Sequence, residues 1–142
     1  MKLDELLEEL NELDPSEKLE WLVEFADQLP EISDEHRSQP FPDSCLVREC
    51  QTPVYLWVKS VDGRVFLEAD VPRQSPMVRG LVALLVLGIQ GESVSDVLAL
   101  PDDPVQRWEL SGVLGMTRQQ GFRGVISRLK RALNDSDGNR SN

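Results

Sequence analysis

Cys50 is the residue in this sequence best placed for covalent chemistry. It stands in "LVRECQTPVYLW", Leu46 to Trp57, between the charged pair Arg48–Glu49 and Gln51, at the doorstep of an apolar run that reads as a buried strand. A cysteine kept for packing would more often lie inside such a run. Backbone N–H groups at a loop-to-strand junction can be free to stabilise a thiolate. In extended chain, residues two apart point to the same side, so Arg48 is expected to favour ionisation of Cys50. Glu49 points the other way, although its charge works against ionisation. Cys45, five residues earlier in the same loop, could resolve an oxidised Cys50 as a disulfide or could be incidental. From the residues alone, four readings of Cys50 stand: a small inert side chain, half of a disulfide, a metal ligand, or a reactive thiol.

Other chemistries find less support. A structural zinc site wants four Cys/His ligands, and the chain offers two cysteines and one histidine, His36, with nothing like CxxC or HExxH. A Ser-His-Asp machine would have to use His36, which lies in a loop, and no G-x-S-x-G surrounds any serine. Neither G-x-x-x-x-G-K-[ST] nor G-x-G-x-x-G is present, so nucleotide binding has no motif behind it. The many carboxylates of the first two helices are spaced as a solvated face. The expectation is therefore no metal and no bound cofactor.

The composition sets the frame for that thiol. One domain is the default for 142 residues, and such a chain can bury a core without disulfides or metal. A net charge of −10 argues against general nucleic-acid binding, because phosphate repels that field. The surplus acid lies mostly in the first 35 residues, while "TRQQGFRGVISRLKRALN" near the end is basic. That asymmetry favours docking on a charged protein partner, or simply solubility and contact between the two ends. The opening "MKLDELLEEL" is acidic and amphipathic, unlike a signal peptide, and the apolar run "LVALLVLGI" is too short to span a bilayer. A soluble, cytoplasmic protein with reduced thiols is expected.

The elements that must position Cys50 follow from periodicity. Leu3, Leu6, Leu7, Leu10 and Leu13 recur at helical spacing. A second helix begins at "DPSEKLEWLVEFADQL", with Asp14 as cap, Pro15 in the first turn and Glu17 completing a capping box; Leu19, Trp21, Leu22 and Phe25 should form its apolar face. "PEISDEHRSQPFPDSCLVREC" reads as a surface loop. Val54 to Lys59 and Arg64 to Ala69 should pair as a hairpin through Asp62-Gly63. "QSPMVRGLVALLVLGIQG" is apolar nearly all round, so it should be the buried central helix, capped by Ser75, with Pro76 in its first turn and Gly91 at its end. Two short helical segments follow, "SVSDVLALP" and "PVQRWELSG". The last helix should begin at Thr117 with the capping box "TRQQ", and carry a stripe of Phe122, Val125, Ile126, Leu129 and Leu133. The order predicts an α+β fold: a small antiparallel β-sheet with helices packed on one face, as a single domain over 1–134, and a polar, disordered C-terminal tail over 135–142.

Four segments, in order, resemble the SufE-type sulfur-acceptor proteins, also called cysteine desulfuration proteins. "CQTPVYLWV" resembles their C-Q-S-x-V-W segment, and "WLVEFADQLPEISDEHRS" their second helix and L-P-x-L-x-x-E-x-R element. "MVRGLVALLVLGIQGESVSDVL" resembles their central helix and "GMTRQQGFRGVISRLKRAL" their last one. The resemblance implies that Cys50 takes sulfane sulfur from the persulfide of a SufS-like cysteine desulfurase and passes it to an iron–sulfur cluster scaffold. It implies no cofactor, and a homodimer is one assembly it raises. Gln51 belongs to the matched motif, and Arg118 matches an arginine that opens the last helix, where it would steady the loop or a partner. The chain departs from the pattern at Glu49, where the family usually has glycine, at Thr52 for serine, at Pro53, at Gln74 for an acidic residue, and in the extra Cys45. If position 49 required a positive φ, glutamate would be strained there. Two other readings are carried forward: an interaction module without chemistry, and a redox switch made of Cys45 and Cys50.

Overall fold

Lys2–Asn11 forms α1, which buries Leu3, Leu6, Leu7 and Leu10 as the spacing predicts. The computed structural model describes residues 1–141, with side chains described through Asp135. Of the tail expected over 135–142, all but Asp135 lies beyond the described side chains, and Asn142 lies outside the described residues. Helix α2, Pro15–Phe25, opens with the expected capping box: Glu17 N–H donates to Asp14 Oδ1 at 2.9 Å, and Asp14 N–H to Glu17 Oε1 at 3.1 Å. Its buried stripe differs from the expected one. Lys18 and Leu22, four apart, face inward, while Leu19 stays exposed and Trp21 and Phe25 stack on each other with centroids 4.6 Å apart. Lys18 occupies a core position because its apolar stem packs inside while Nζ donates to the Glu109 carbonyl at 3.1 Å.

The hairpin is β1, Tyr55–Val61, paired antiparallel with β2, Arg64–Asp70, in a register running from Val61↔Arg64 to Tyr55↔Asp70. Asp62 at φ 53° and Gly63 at φ 76° make the two-residue turn with positive φ at both positions that matches strand twist. Leu56, Val65, Leu67 and Ala69 bury one face of this sheet. Helix α3, Pro76–Ile89, is the expected central helix, buried along most of its length and packed on α1, α2 and β2. It passes so close to α2 that a Cβ at Gly80 would lie 1.9 Å from the Leu22 carbonyl oxygen. Gly91 ends the connection at φ 76° as predicted. Ser75 does not cap α3 through its side chain; its hydroxyl meets Thr52 Oγ1 at 3.3 Å instead.

Short helices α4, Val94–Leu98, and α5, Pro104–Arg107, lead into α6, Met116–Ser141, which packs on β1, α4, α5 and α3. Its stripe from Phe122 to Leu133 is buried as expected. Its start differs: the helix begins at Met116, and Gln119 Nε2 donates to the Leu114 carbonyl at 2.7 Å. Gln119 therefore holds the chain entering the helix. Helices thus cover one face of the sheet, in the expected α+β arrangement. The long loop covers one end of the other face and leaves Val61 and Phe66 exposed: it folds into 3₁₀ turns at Asp34–His36 and Asp43–Cys45, lays His36 on Trp57 and sets Phe41 against Tyr55 and Trp57. Among the described residues no helix is long and apolar enough to cross a membrane.

Candidate functional site

Two buried valines anchor the tip that carries Cys50. Val47 N–H donates to the Val54 carbonyl at 2.8 Å, Leu46 bridges to Tyr55, and both valines are fully buried. Residues 48–53 project from this base. Cys50 N–H returns to the Val47 carbonyl at 3.3 Å, so Arg48 and Glu49 lie in a turn. The extended geometry expected to place Arg48 beside the thiol is therefore replaced by a turn, with Arg48 exposed. Glu49 is not strained: among the described residues other than glycine, positive φ occurs at Asp62 and Glu109.

The tip docks on α6 through two glycines. The Cys50 S–H donates to the Gly121 carbonyl at 3.3 Å, and a Cβ on Gly121 would lie 3.1 Å from Sγ. A Cβ on Gly124 would lie 2.5 Å from Glu49 Cβ and 2.9 Å from its carboxylate. Each glycine inside a helix costs about 1 kcal/mol against alanine, so two of them three residues apart call for a reason, and the close approach of the tip supplies it. Glu49 also reaches Arg131 on α6, Oε2 to Nη2 at 4.0 Å. On the far side, Thr52 meets Ser75 at the start of α3.

Docking changes the thiol. Its pKa is pushed up to about 11, first by burial and then by the Glu49 carboxylate, the opposite of the activation expected from Arg48. At pH 8 this leaves about a hundredfold less thiolate than in a cysteine of ordinary pKa. The rate of Cys50 alkylation by iodoacetamide is expected to climb about tenfold per pH unit through pH 10 and to level only near the thiol pKa of about 11. A plateau by pH 9 would contradict the docked geometry.

Beside the thiol lies a cavity of about 350 Å³. Buried Leu81, Val82, Phe122 and Val125 line it together with exposed Gln51, Met116 and Arg118. Three sequence-derived candidates, Cys50, Gln51 and Arg118, thus meet at one cavity. Cys45 does not join them. It sits in the Asp43–Cys45 turn and faces a separate groove with His36, Trp57 and Glu68; both cysteines are free thiols. Sequence reasoning missed Gly121, Gly124, Met116 and the apolar lining of the cavity. The one visible signal was the pair of glycines in "GFRG" inside an otherwise striped helix.

Among the described residues, Glu35, His36 and Glu68 bring one ligand atom each within 4.8 Å of one another, a set that could hold a cation. His36 Nε2 lies 3.4 Å from Glu35 Oε1 and 3.6 Å from Glu68 Oε2. The Ser33 N–H and its hydroxyl already hold the two Glu68 oxygens, so the group forms a network of its own that ties the long loop to β2.

Comparison with known proteins bears on this geometry. The SufE family, described as Fe-S metabolism associated domain, matches residues 4–133. An uncharacterized SufE-like protein of Mycobacterium tuberculosis is 31% identical over 139 residues, 95% of this chain and 93% of its own. One from Synechocystis is 26% identical over 117 residues, 82% of this chain and 70% of its own. The solution structure of a hypothetical protein from Thermus thermophilus superposes with a TM-score of 0.79 at 28% identity, covering 94% of each chain.

Proposed function

The chain belongs to the SufE family of Fe-S metabolism proteins, and from that premise we propose that it accepts sulfane sulfur on Cys50 from a cysteine desulfurase and delivers it to an iron–sulfur cluster scaffold. The observation that carries this reading is a single thiol, on a tip pinned at its base, docked beside a cavity whose buried wall is apolar and whose exposed side carries Gln51 and Arg118. In the transfer, the Cys50 thiolate attacks the terminal sulfur of the donor's cysteine persulfide. A new S–S bond forms at Cys50 as the donor's S–S bond breaks, and the donor cysteine leaves as a thiolate. The proton lost by Cys50 balances the one the donor regains, so no net oxidation occurs and no external redox partner is needed.

The docked thiol is protonated and shielded, so transfer requires the tip to leave α6. Its attachments are weak: one S–H donor and one long ion pair to α6, and one hydroxyl contact to Ser75 at the start of α3. Val47 and Val54 keep the base fixed while the tip swings. The buried wall of the cavity, Leu81, Val82, Phe122 and Val125, suits a sulfane sulfur, which is poorly hydrated. Arg118 and Gln51 at its exposed side are positioned to meet the thiolate or the partner. The setting is cytoplasmic, and the sulfur-handling unit is one domain over 1–134. Separation of Cys45 and Cys50 into different cavities weighs against an intramolecular redox switch in the docked state. Mixed with a cysteine desulfurase and free cysteine, the protein is expected to raise the desulfurase's turnover several-fold, as a persulfide acceptor that clears its active site. No stimulation of any competent desulfurase would remove the reading.

A further inference from the structure

The tip, residues 48–53, carries one acid, Glu49, and it lies next to the thiol. Its side chain packs closely on Gly124. Gly124 leaves room for its Cβ and carboxylate, and Arg131 pairs with it at 4.0 Å. The cation paired with it is Arg131 on α6, and Arg48 precedes it on the tip; Arg118 lines the cavity beside Cys50, and Arg128 lines the separate groove. Two other α6 cations are engaged elsewhere, Arg123 with Asp103 at 3.1 Å and Lys130 with Asp102 at 2.8 Å. The Glu49–Arg131 pair is long and both partners are solvent-accessible, 36% and 61% exposed, so an incoming cation can compete for the carboxylate.

We propose that Glu49 is a gating and recognition residue: seated on Gly124 and paired with Arg131 it holds the tip closed, and a sulfur donor opens it by presenting a cationic side chain that takes the carboxylate over from Arg131. This rests on the sulfur-acceptor reading and adds the charge a partner must bring to Cys50. Glu49 acts here through position and field, and forms no bond to sulfur. The arrangement gives its glutamate a purpose at a place where a glycine would leave the tip without an electrostatic hold. It also links shielding to recognition, because the group that closes the tip is the group the partner removes.

The test uses two methanethiosulfonate reagents of similar size, one ending in trimethylammonium and one in sulfonate, on the full chain carrying Cys45→Ser so that Cys50 alone reacts. The ratio of the two rates is compared with the same ratio in urea-unfolded protein. The folded protein is expected to prefer the cationic reagent by about tenfold beyond the unfolded ratio, the lower end of what charge focusing at a cleft gives. Glu49→Gln should abolish that excess and Glu49→Asp should keep most of it. Arg131→Ala should enlarge it, because the carboxylate loses its competitor. A merely structural role for Glu49 would raise both rates together in Glu49→Gln and leave the ratio unmoved, and that result would overturn the proposal, as would an Arg131→Ala ratio equal to or below that of the parent. Failure of a desulfurase to place sulfur on Cys50 would sink the acceptor reading separately, leaving these ratios to decide on Glu49.

Discussion

Gly124→Ala is expected to raise the alkylation rate of Cys50 at pH 8 by up to about a hundredfold. The methyl group would stand 2.5 Å from Glu49 Cβ, and α6 cannot retreat because Val125, Ile126 and Leu129 anchor it in the core. The tip must move instead. Once lifted, the thiol loses both causes of its raised pKa, burial first and Glu49 second, and returns from about 11 toward its ordinary value near 9. Since the folded thiol is half ionised only at its raised pKa and its thiolate fraction falls about tenfold per pH unit below it, lowering that pKa increases thiolate throughout the neutral range. Global stability should change little, because alanine improves the helix by about 1 kcal/mol while the lost tip contacts are few and weak. That combination, a faster thiol in an equally stable fold, separates tip release from unfolding. Iodoacetamide kinetics and thermal melts on the same sample check it, and an unchanged alkylation rate would show that α6 does not shield Cys50.

Cys50→Ser is expected to abolish sulfur uptake while leaving the fold intact. The serine hydroxyl can replace the weak S–H bond to Gly121, but its oxygen, protonated at neutral pH, cannot form a persulfide. The side chain is half-buried at the edge of the core, so the change creates no cavity within it. Cys45→Ser should retain uptake, because Cys45 faces the other groove. Loss of uptake in both variants would mean the two thiols work as a pair and would return the redox-switch reading. Sulfur counted on each variant by intact mass after exposure to a desulfurase and cysteine checks the prediction.

Much of the scaffold was legible because its signals are local. The Asp62-Gly63 turn, the Asp14–Glu17 capping box, the leucine stripe of α1 and the all-round apolar α3 each depend on residues within a few positions of one another. Cys50 was legible as a candidate from its placement, and the family from the ordered resemblance. The electrostatics were not. Arg48 was expected to activate the thiol, but that inference assumed extended chain where a hydrogen bond from Cys50 to Val47 makes a turn. Burial by α6, which decides the thiol's pKa, comes from Gly121, 71 positions away, and no local pattern announces such a contact. The buried face of α2 failed for a related reason: periodicity counts apolar residues, so it chose Leu19 over Lys18, whose apolar stem fills the core while its amine meets Glu109. Glu49 looked like a defect in a motif, and only the glycine opposite it on α6 shows how it is accommodated.

Whether Cys50 carries sulfane sulfur is read by site-resolved mass mapping. The protein is incubated with a cysteine desulfurase and cysteine, persulfides are trapped by alkylation, and the peptides are mapped. One added sulfur atom is expected on the peptide containing Cys50, removed by thiol reductant and absent from Cys50→Ser. Added sulfur on Cys45 alone, or on neither cysteine with desulfurases that load other acceptors, would contradict it.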